Sequence, residues 1–467
     1  GMYVIRCFSF FSIICIKSFY NLRVQRYNRF ASEVLFFYIC HYLKSDKYKN
    51  HNKPNQKKKL LLITMKKYRL LLIAAFTLFL SCSESKEPDK DISIVPCKLE
   101  ENAKLKFSDF VKSIELTPLE TNKGCLINTI GKIIKYKDYY YIGSASTRIE
   151  KIFVFTEDGK FLYQLDKRGS GPDEYIAIED FDVIKDFQVA ITSNDNQSMY
   201  TYDLVSDSCV FRKKLDIYPQ NILFKDGYFY VLNGGTAFHP GDDFLVYKYN
   251  QEGEIVDYLF KGDELVEKVT SCTTSLKSLS AYKGDLLFTY PYSDTIYRLT
   301  NGQFVPAYLI NIGDRRIPIN EFKNANGILE IDKIIKEKQG IDNMLYYSFG
   351  NPISVFTFMD YKYDGYISFY NHETNQSLSA TYLMDDLLFK GNRINLKAWK
   401  LPKLYENGTL YYIAEPTELI EAMNDYKDRI NTEEWNSFCN EHPDIVEKIH
   451  QMKEDDNPVL VKLLLKS

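Results

Sequence analysis

The chain has 467 residues, 45% of them hydrophobic and 15% aromatic, with 37 tyrosines. Its formal charge of −3 hides a split, because residues 1–64 hold 12 Lys/Arg against 2 Asp/Glu and residues 65–81 hold 3 against none. The remaining body carries 44 basic and 60 acidic residues, about −16, which excludes a protein built to neutralise nucleic-acid phosphates.

Residues 1–64 mix Phe, Tyr, Lys and Asn without a sustained period and do not read as a domain. Gly1 reads as a cloning remnant and Met65 as the natural start. Lys66, Lys67 and Arg69 then precede the apolar stretch Leu70–Leu80, which has signal-peptide length and is too short to span a bilayer comfortably. Phe79-Leu80-Ser81-Cys82 resembles a bacterial lipobox, with a small residue just before the cysteine. The expectation is a lipoprotein signal at 65–81 and a lipidated Cys82, so that the membrane is a partner and the address is the envelope. Residues 82–105, opening on the polar run Ser83–Lys90, read as a flexible tether.

From residue 106 onward one design recurs six times: an aromatic or aliphatic residue, usually a lysine, a turn of Asp, Gly or Asn, then a β-rich aromatic run. The copies begin at Tyr136 (YKDYYYI), Ile184 (IKDFQVAI), Phe224 (FKDGYFYVL), Tyr282 (YKGDLLFTY), Tyr361 (YKYDGYISF) and Tyr405 (YENGTLYYI). Further turns at Glu157-Asp158-Gly159-Lys160, Ser206-Asp207, Glu252-Gly253 and Asn301-Gly302 supply a second hairpin to the first four copies. Four up-and-down strands per copy predict an all-β, six-bladed β-propeller over 106–467. Asn320–Gln339 and Thr417–Lys453 break the rhythm with helical patterns, so helical insertions are expected at about 320–340 and 417–454. A strand at Val111–Leu119 and another at 457–465 lack hairpin partners. Their pairing is expected to close the ring and remove exposed edges.

Cys97, Cys125, Cys209, Cys272 and Cys439 are irregularly spaced and odd in number, which reads as free, mostly buried thiols rather than a disulfide framework. No GxSxG or HExxH motif is present, so no catalytic residue is assigned. Arg168-Gly169-Ser170-Gly171-Pro172-Asp173-Glu174-Tyr175 joins one blade to the next. Its glycines permit close backbone approach, and Arg168, Asp173, Glu174 and Tyr175 offer charge and stacking to a ligand. Tyr290 and Tyr292 flank Pro291 at a strand exit and are expected to be exposed. The other tyrosine clusters (Tyr139–Tyr141, Tyr346 with Tyr347, Tyr411 with Tyr412) read chiefly as core, since alternation buries half of them. Asp180, Asp182, Asn194 and Asp195 are the candidate ligands should calcium bind, although a turn capped by Asp and Asn is the commoner use of such residues. His239-Pro240-Gly241-Asp242-Asp243 matches no metal spacing and reads as a loop.

These residues resemble the six-bladed β-propeller lipoproteins of Bacteroides-type bacteria, relatives of NHL-repeat propellers. The likeness rests on the lipobox, Ile114–Glu120 followed by Cys125–Ile130, Phe153–Tyr175 (FVFTEDGKFLYQLDKRGSGPDEY) and the terminal EDDNPVLVKL. Asp173 stands where that family often has Gly. The resemblance implies a lipid-anchored envelope protein of the outer membrane and no established catalysis. The leading expectation is a monomeric, non-catalytic propeller without a cofactor that binds a carbohydrate, peptide or envelope protein on one face. A calcium-dependent lactonase- or lyase-like hydrolase is the first alternative, and a structural subunit of an outer-membrane complex the second.

Overall fold

The computed structural model describes residues 92–466 apart from 101, 147, 235–243, 273–277 and 397–399, all within the compact unit Pro88–Ser467. The signal segment, Cys82 and the His239–Asp243 loop lie outside the described residues.

In chain order, β1 (Ser93–Pro96) and β2 (Lys104–Lys106) precede a one-turn helix, α1 (Phe107–Phe110), and β3 (Val111–Pro118). A first antiparallel sheet contains β4 (Thr129–Tyr136), β5 (Tyr139–Ala145), β6 (Ile149–Thr156) and β7 (Phe161–Leu165). The second has β8 (Asp180–Lys185), β9 (Gln188–Ser193), β10 (Ser198–Asp203) and β11 (Ser208–Lys214). The third has β12 (Pro219–Lys225), β13 (Tyr228–Asn233), β14 (Phe244–Tyr249) and β15 (Ile255–Lys261), followed by α2 (Glu264–Cys272). The fourth holds β16 (Leu279–Tyr282), β17 (Asp285–Phe288), β18 (Thr295–Thr300) and β19 (Gln303–Asn311), with β1 added parallel at its edge. After α3 (Ile328–Lys338), the fifth holds β20 (Ile341–Ser348), β21 (Ile353–Asp360), β22 (Gly365–Asn371) and β23 (Gln376–Ala380). Next, β24 (Tyr382–Asp385) and β25 (Asn392–Asn395) join β2 in a small three-stranded sheet. The sixth large sheet starts with β26 (Leu404–Glu406) and β27 (Thr409–Ala414). It resumes after α4 (Pro416–Arg429), α5 (Thr432–Glu441) and α6 (Pro443–Gln451) with β28 (Val459–Leu465), and β3 completes it.

The repeated turns work by backbone chirality. Asp226-Gly227, Lys283-Gly284 and Asn407-Gly408 all have positive φ at both residues, the twist that lets a two-residue hairpin match its strands. The fifth copy departs from the expected register. Tyr361–Phe369 joins the second and third strands of its sheet, whereas the other five copies join the first and second. Asp-Gly chemistry marks any tight hairpin, so the repeat could not tell which hairpin it marked. The first strand of that sheet is β20, and its exit turn is Phe349–Pro352.

Buried apolar side chains lie between consecutive sheets. Tyr141 and Val154 meet Phe181 and Ile191, Met199 meets Ile222 and Val231, and Leu232 meets Leu279 and Phe288. Leu287 and Ile310 then meet Tyr347 and Phe356, Val355 and Phe369 meet Tyr405 and Leu463, and Tyr411 and Leu460 return to Ile133 and Tyr140 of the first sheet. Helices α4–α6 pack Met423, Phe438 and Ile449 over Leu116 and Val459 of the sixth sheet.

The chain ends meet within one sheet, with β3 pairing antiparallel to β28 from Val459↔Pro118 to Leu465↔Val111. Buried Asn457 fastens this junction. Its Oδ1 accepts from Ile127 N–H at 2.9 Å, and its Nδ2 donates to the carbonyls of Glu120 and Cys125, each at 2.7 Å. The end of the expected tether is not free chain. Residues 93–106 form a strap that carries β1 and β2 and buries Val95, Cys97, Leu99 and Leu105. Alternating apolar residues there gain more from burial than a solvated linker allows. Cys97, Cys125, Cys209 and Cys439 are free thiols, and burial pushes the Cys97 thiol up to about 12. Among the described residues no helix is long and apolar enough to cross a membrane.

Candidate functional site

The Arg168–Tyr175 loop connects β7 to β8 and commits most of its polar groups to its own structure. Gly171 N–H donates to Glu174 Oε2 at 2.7 Å, and Tyr175 N–H donates to the Lys167 carbonyl at 3.0 Å. A Cβ on Gly169 would sit 1.9 Å from Glu174 Oε2, so a side chain there would displace the Glu174 carboxylate that Gly171 N–H holds. The Tyr175 hydroxyl donates to the Glu150 carbonyl at 3.0 Å from a fully buried ring. Tyr200 and Tyr202 donate their hydroxyls to the carbonyls of Glu174 and Asp173, and Arg212 caps the Pro172 carbonyl. Arg168 is exposed and paired with Glu150 at 3.1 Å. Tyr175 therefore offers no face for stacking. Arg168 and Asp173 are the exposed members of the expected set, and Glu174 is half-buried.

Tyr290 and Tyr292 separate. Tyr290 is half-buried against Phe260, Phe288 and Tyr297, in the aromatic core between the third and fourth sheets. Tyr292 packs against Phe322 with the rings tilted and lines a cleft of about 30 Å³ with Asp294, Arg316, Ile341 and Asp342. Asp294 and Arg316 pair at 2.7 Å. Burial, reinforced by Asp332 and Asp360, pushes the Asp342 carboxyl up to about 6. The cleft has room for little beyond a water molecule or two.

The carboxylates considered for calcium have other partners. Lys132 Nζ donates to Asp180 Oδ1 at 2.6 Å, while Ile222 N–H donates to Asp180 Oδ2 at 3.0 Å. Asp182 accepts from Phe224 N–H at 2.7 Å, and Asp195 pairs with Arg148 at 2.7 Å. Among the described residues no three His, Cys, Asp or Glu side chains group to hold a metal. Ser354 Oγ and His372 Nε2 stand 2.6 Å apart, a nucleophile–base spacing. Ser354 is fully buried, so this pair is closed to a substrate.

A larger and more polar cleft, of about 140 Å³, lies where the sixth sheet faces the first. Its floor is one cross-strand row: Tyr411 on β27 opposes Lys462 on β28, which opposes Glu115 on β3. Glu406, Asn407 and Thr409 come from the β26–β27 hairpin, Lys135 from β4 and Glu157 from the turn before β7. Lys135 and Glu157 pair at 2.9 Å, which holds the Glu157 carboxyl below its ordinary range. Lys462 lies 5.5 Å over the Tyr140 ring, and no hydrogen bond to its ammonium is made by a described residue. Burial pushes that ammonium below its usual value, against the opposing pull of Glu115 and Glu157. Tyr140 is wholly buried beside Tyr411, beneath the cleft rather than in its lining.

Apart from the Tyr411–Tyr412 doublet, the sequence reading passed over these residues. One signal pointed to them: Lys462 is a lone cation inside the apolar strand Val459–Leu465. Its meaning depended on Glu115 and Tyr411, which only the pairing of the chain ends brings alongside.

Successive four-stranded antiparallel sheets, packed through apolar layers, define a propeller-type β protein. Residues 90–463 match the model of DUF4934, a domain of unknown function, and the chain belongs to that family. It is similar in structure to a candidate exported protein of Bacteroides fragilis, with 17% identity, 81% of this chain and 100% of that one covered, and a TM-score of 0.61. That likeness speaks for the fold alone. A more distant similarity, with 12% identity, 75% of this chain and 100% of that one covered, and a TM-score of 0.37, links it to BamB of Moraxella catarrhalis. No curated protein matches the sequence.

Proposed function

We propose that this is a non-catalytic envelope lipoprotein: a closed six-bladed ring, related to NHL-repeat propellers and anchored through Cys82 in the outer membrane, that binds a polar ligand in the cleft between its last and first blades. Three observations support the ring: six large sheets, apolar layers that run from each sheet to the next and back to the first, and β3–β28 pairing. Support for the address comes from the lipobox-like segment and from the similarity to a candidate exported protein.

The single observation that carries the binding reading is the unsaturated polar floor of the seam cleft. Polar groups inside a protein are normally paired, and the half-buried Lys462 ammonium, with no hydrogen bond from a described residue, is costly unless something occupies the space beside it. The hydrolase alternative has less support, because the carboxylates it would use are held by Lys132, Arg148 and backbone amides.

Two experiments test the proposal. Metabolic labelling with an alkynyl fatty acid should mark the wild type and not Cys82→Ala. Label retained by the variant would refute the anchor. Immobilised protein should retain from envelope extract at least one component that Lys462→Met with Glu115→Gln releases. If both proteins retain the same set, the cleft is not the site.

A further inference from the structure

We infer that the seam cleft recognises an uncharged, polyhydroxylated ring: a neutral saccharide unit. The inference rests on the binding reading above and adds the ligand class.

The cleft's floor alternates in chemistry along a single direction. Tyr411, Lys462 and Glu115 occupy neighbouring strands at one register, so their side chains rise from the same side of the sheet about 4.8 Å apart. A hydroxyl, a donor-only ammonium and an acceptor-only carboxylate thus stand in a row, at a spacing that suits hydroxyls on alternate carbons of a sugar ring. Asn407 and Thr409 at the rim add groups that both donate and accept. Sugar hydroxyls do the same, so one ring can satisfy Lys462 and Glu115 together.

Charge argues against other small ligands. Glu115, Glu157 and Glu406 face Lys135 and Lys462 across the cleft, and Lys135 is already paired with Glu157. An anion would gain Lys462 while meeting Glu115 and Glu406. A cation would gain the carboxylates while meeting Lys462. A neutral polyol avoids both conflicts and needs no desolvation of a net charge. Tyr411 is buried and offers no open ring face, so recognition runs through hydrogen bonds rather than ring stacking. The row lies wholly on the sixth sheet, and Lys135 and Glu157 bring the first sheet to the same cleft.

The test is titration calorimetry on the full chain. Methyl glycosides of glucose, galactose and mannose serve as neutral probes, glucuronate and glucosamine as charged analogues, and triglycine as a peptide. At least one neutral glycoside should bind at millimolar concentration and better than the charged analogues. Lys462→Met and Glu115→Gln should each weaken it about tenfold or more. Lys462→Met keeps the apolar stem, and an unchanged melting temperature will show that the seam is intact. Tighter binding of glucuronate, glucosamine or triglycine than of every neutral glycoside would overturn the inference, as would failure of all three glycosides. If the glycosides fail while the extract component is still released by the cleft variants, the saccharide class falls and the binding reading stands. If both fail, both fall.

Discussion

The Arg168–Tyr175 loop and the seam cleft hold similar residues, glutamates, basic side chains and tyrosines, yet they use them in opposite ways. In the loop Arg168, Glu174 and Tyr175 all meet partners within the loop or the adjoining sheets, as Glu174 does with Gly171 N–H and Tyr175 with Glu150 O. In the cleft the Lys462 ammonium lacks a hydrogen-bond partner among the described residues and rests over the Tyr140 ring. A conspicuous motif can be conspicuous because it must build a tight connection. Binding capacity lies where polar groups remain unspent.

Substitutions can break or sharpen that contrast. The largest effect is expected at the seam's fastening. Asn457→Ala would strand one buried N–H and two carbonyls, costing about 3–5 kcal/mol in urea denaturation. A loss below 1 kcal/mol would mean that the chain ends are held elsewhere.

Next comes a carboxylate away from both regions. Asp342 has a folded pKa of about 6 against an ordinary 3.8, so the native state binds its proton more tightly than the unfolded chain. Stability is therefore lost as pH rises from about 4 to about 6, and the loss is complete above that window. Asp342→Asn should stabilise the protein at pH 7.5 by about 1–2 kcal/mol after solvent screening, and not at pH 4. Equal shifts at both pH values would contradict the assignment to ionisation.

Within the loop, Tyr175→Phe should cost about 1–2 kcal/mol through the lost hydroxyl and leave ligand binding unchanged. Arg168→Ala, which removes an exposed ion pair, should change stability by about 0.5 kcal/mol or less. A clear loss of binding in either variant would return the loop to the functional surface.

Much of the scaffold was legible in the sequence because turn chemistry is local. Asp226-Gly227, Lys283-Gly284 and Asn407-Gly408 take left-handed backbone at both residues, and they marked hairpins in the third, fourth and sixth sheets. The same local rule failed at Tyr361, where a hairpin signal could not say which pair of strands it joined. The strap at 93–106 was missed because its short alternating run pairs with β19 and β24, more than 200 residues away. The cleft was hidden for the same reason. Glu115, Tyr411 and Lys462 have no relation in sequence, and only the β27–β28–β3 ladder sets them in one row. Asn457, expected only to open the terminal strand, proves to be the residue that joins the two ends.

The most direct measurement compares Lys462→Met with Arg168→Ala in one calorimetric titration against the best-binding neutral glycoside. Affinity should fall about tenfold or more in the Lys462 variant and stay at the wild-type value in the Arg168 variant. The reverse pattern, with binding lost at Arg168 and kept at Lys462, would contradict the account.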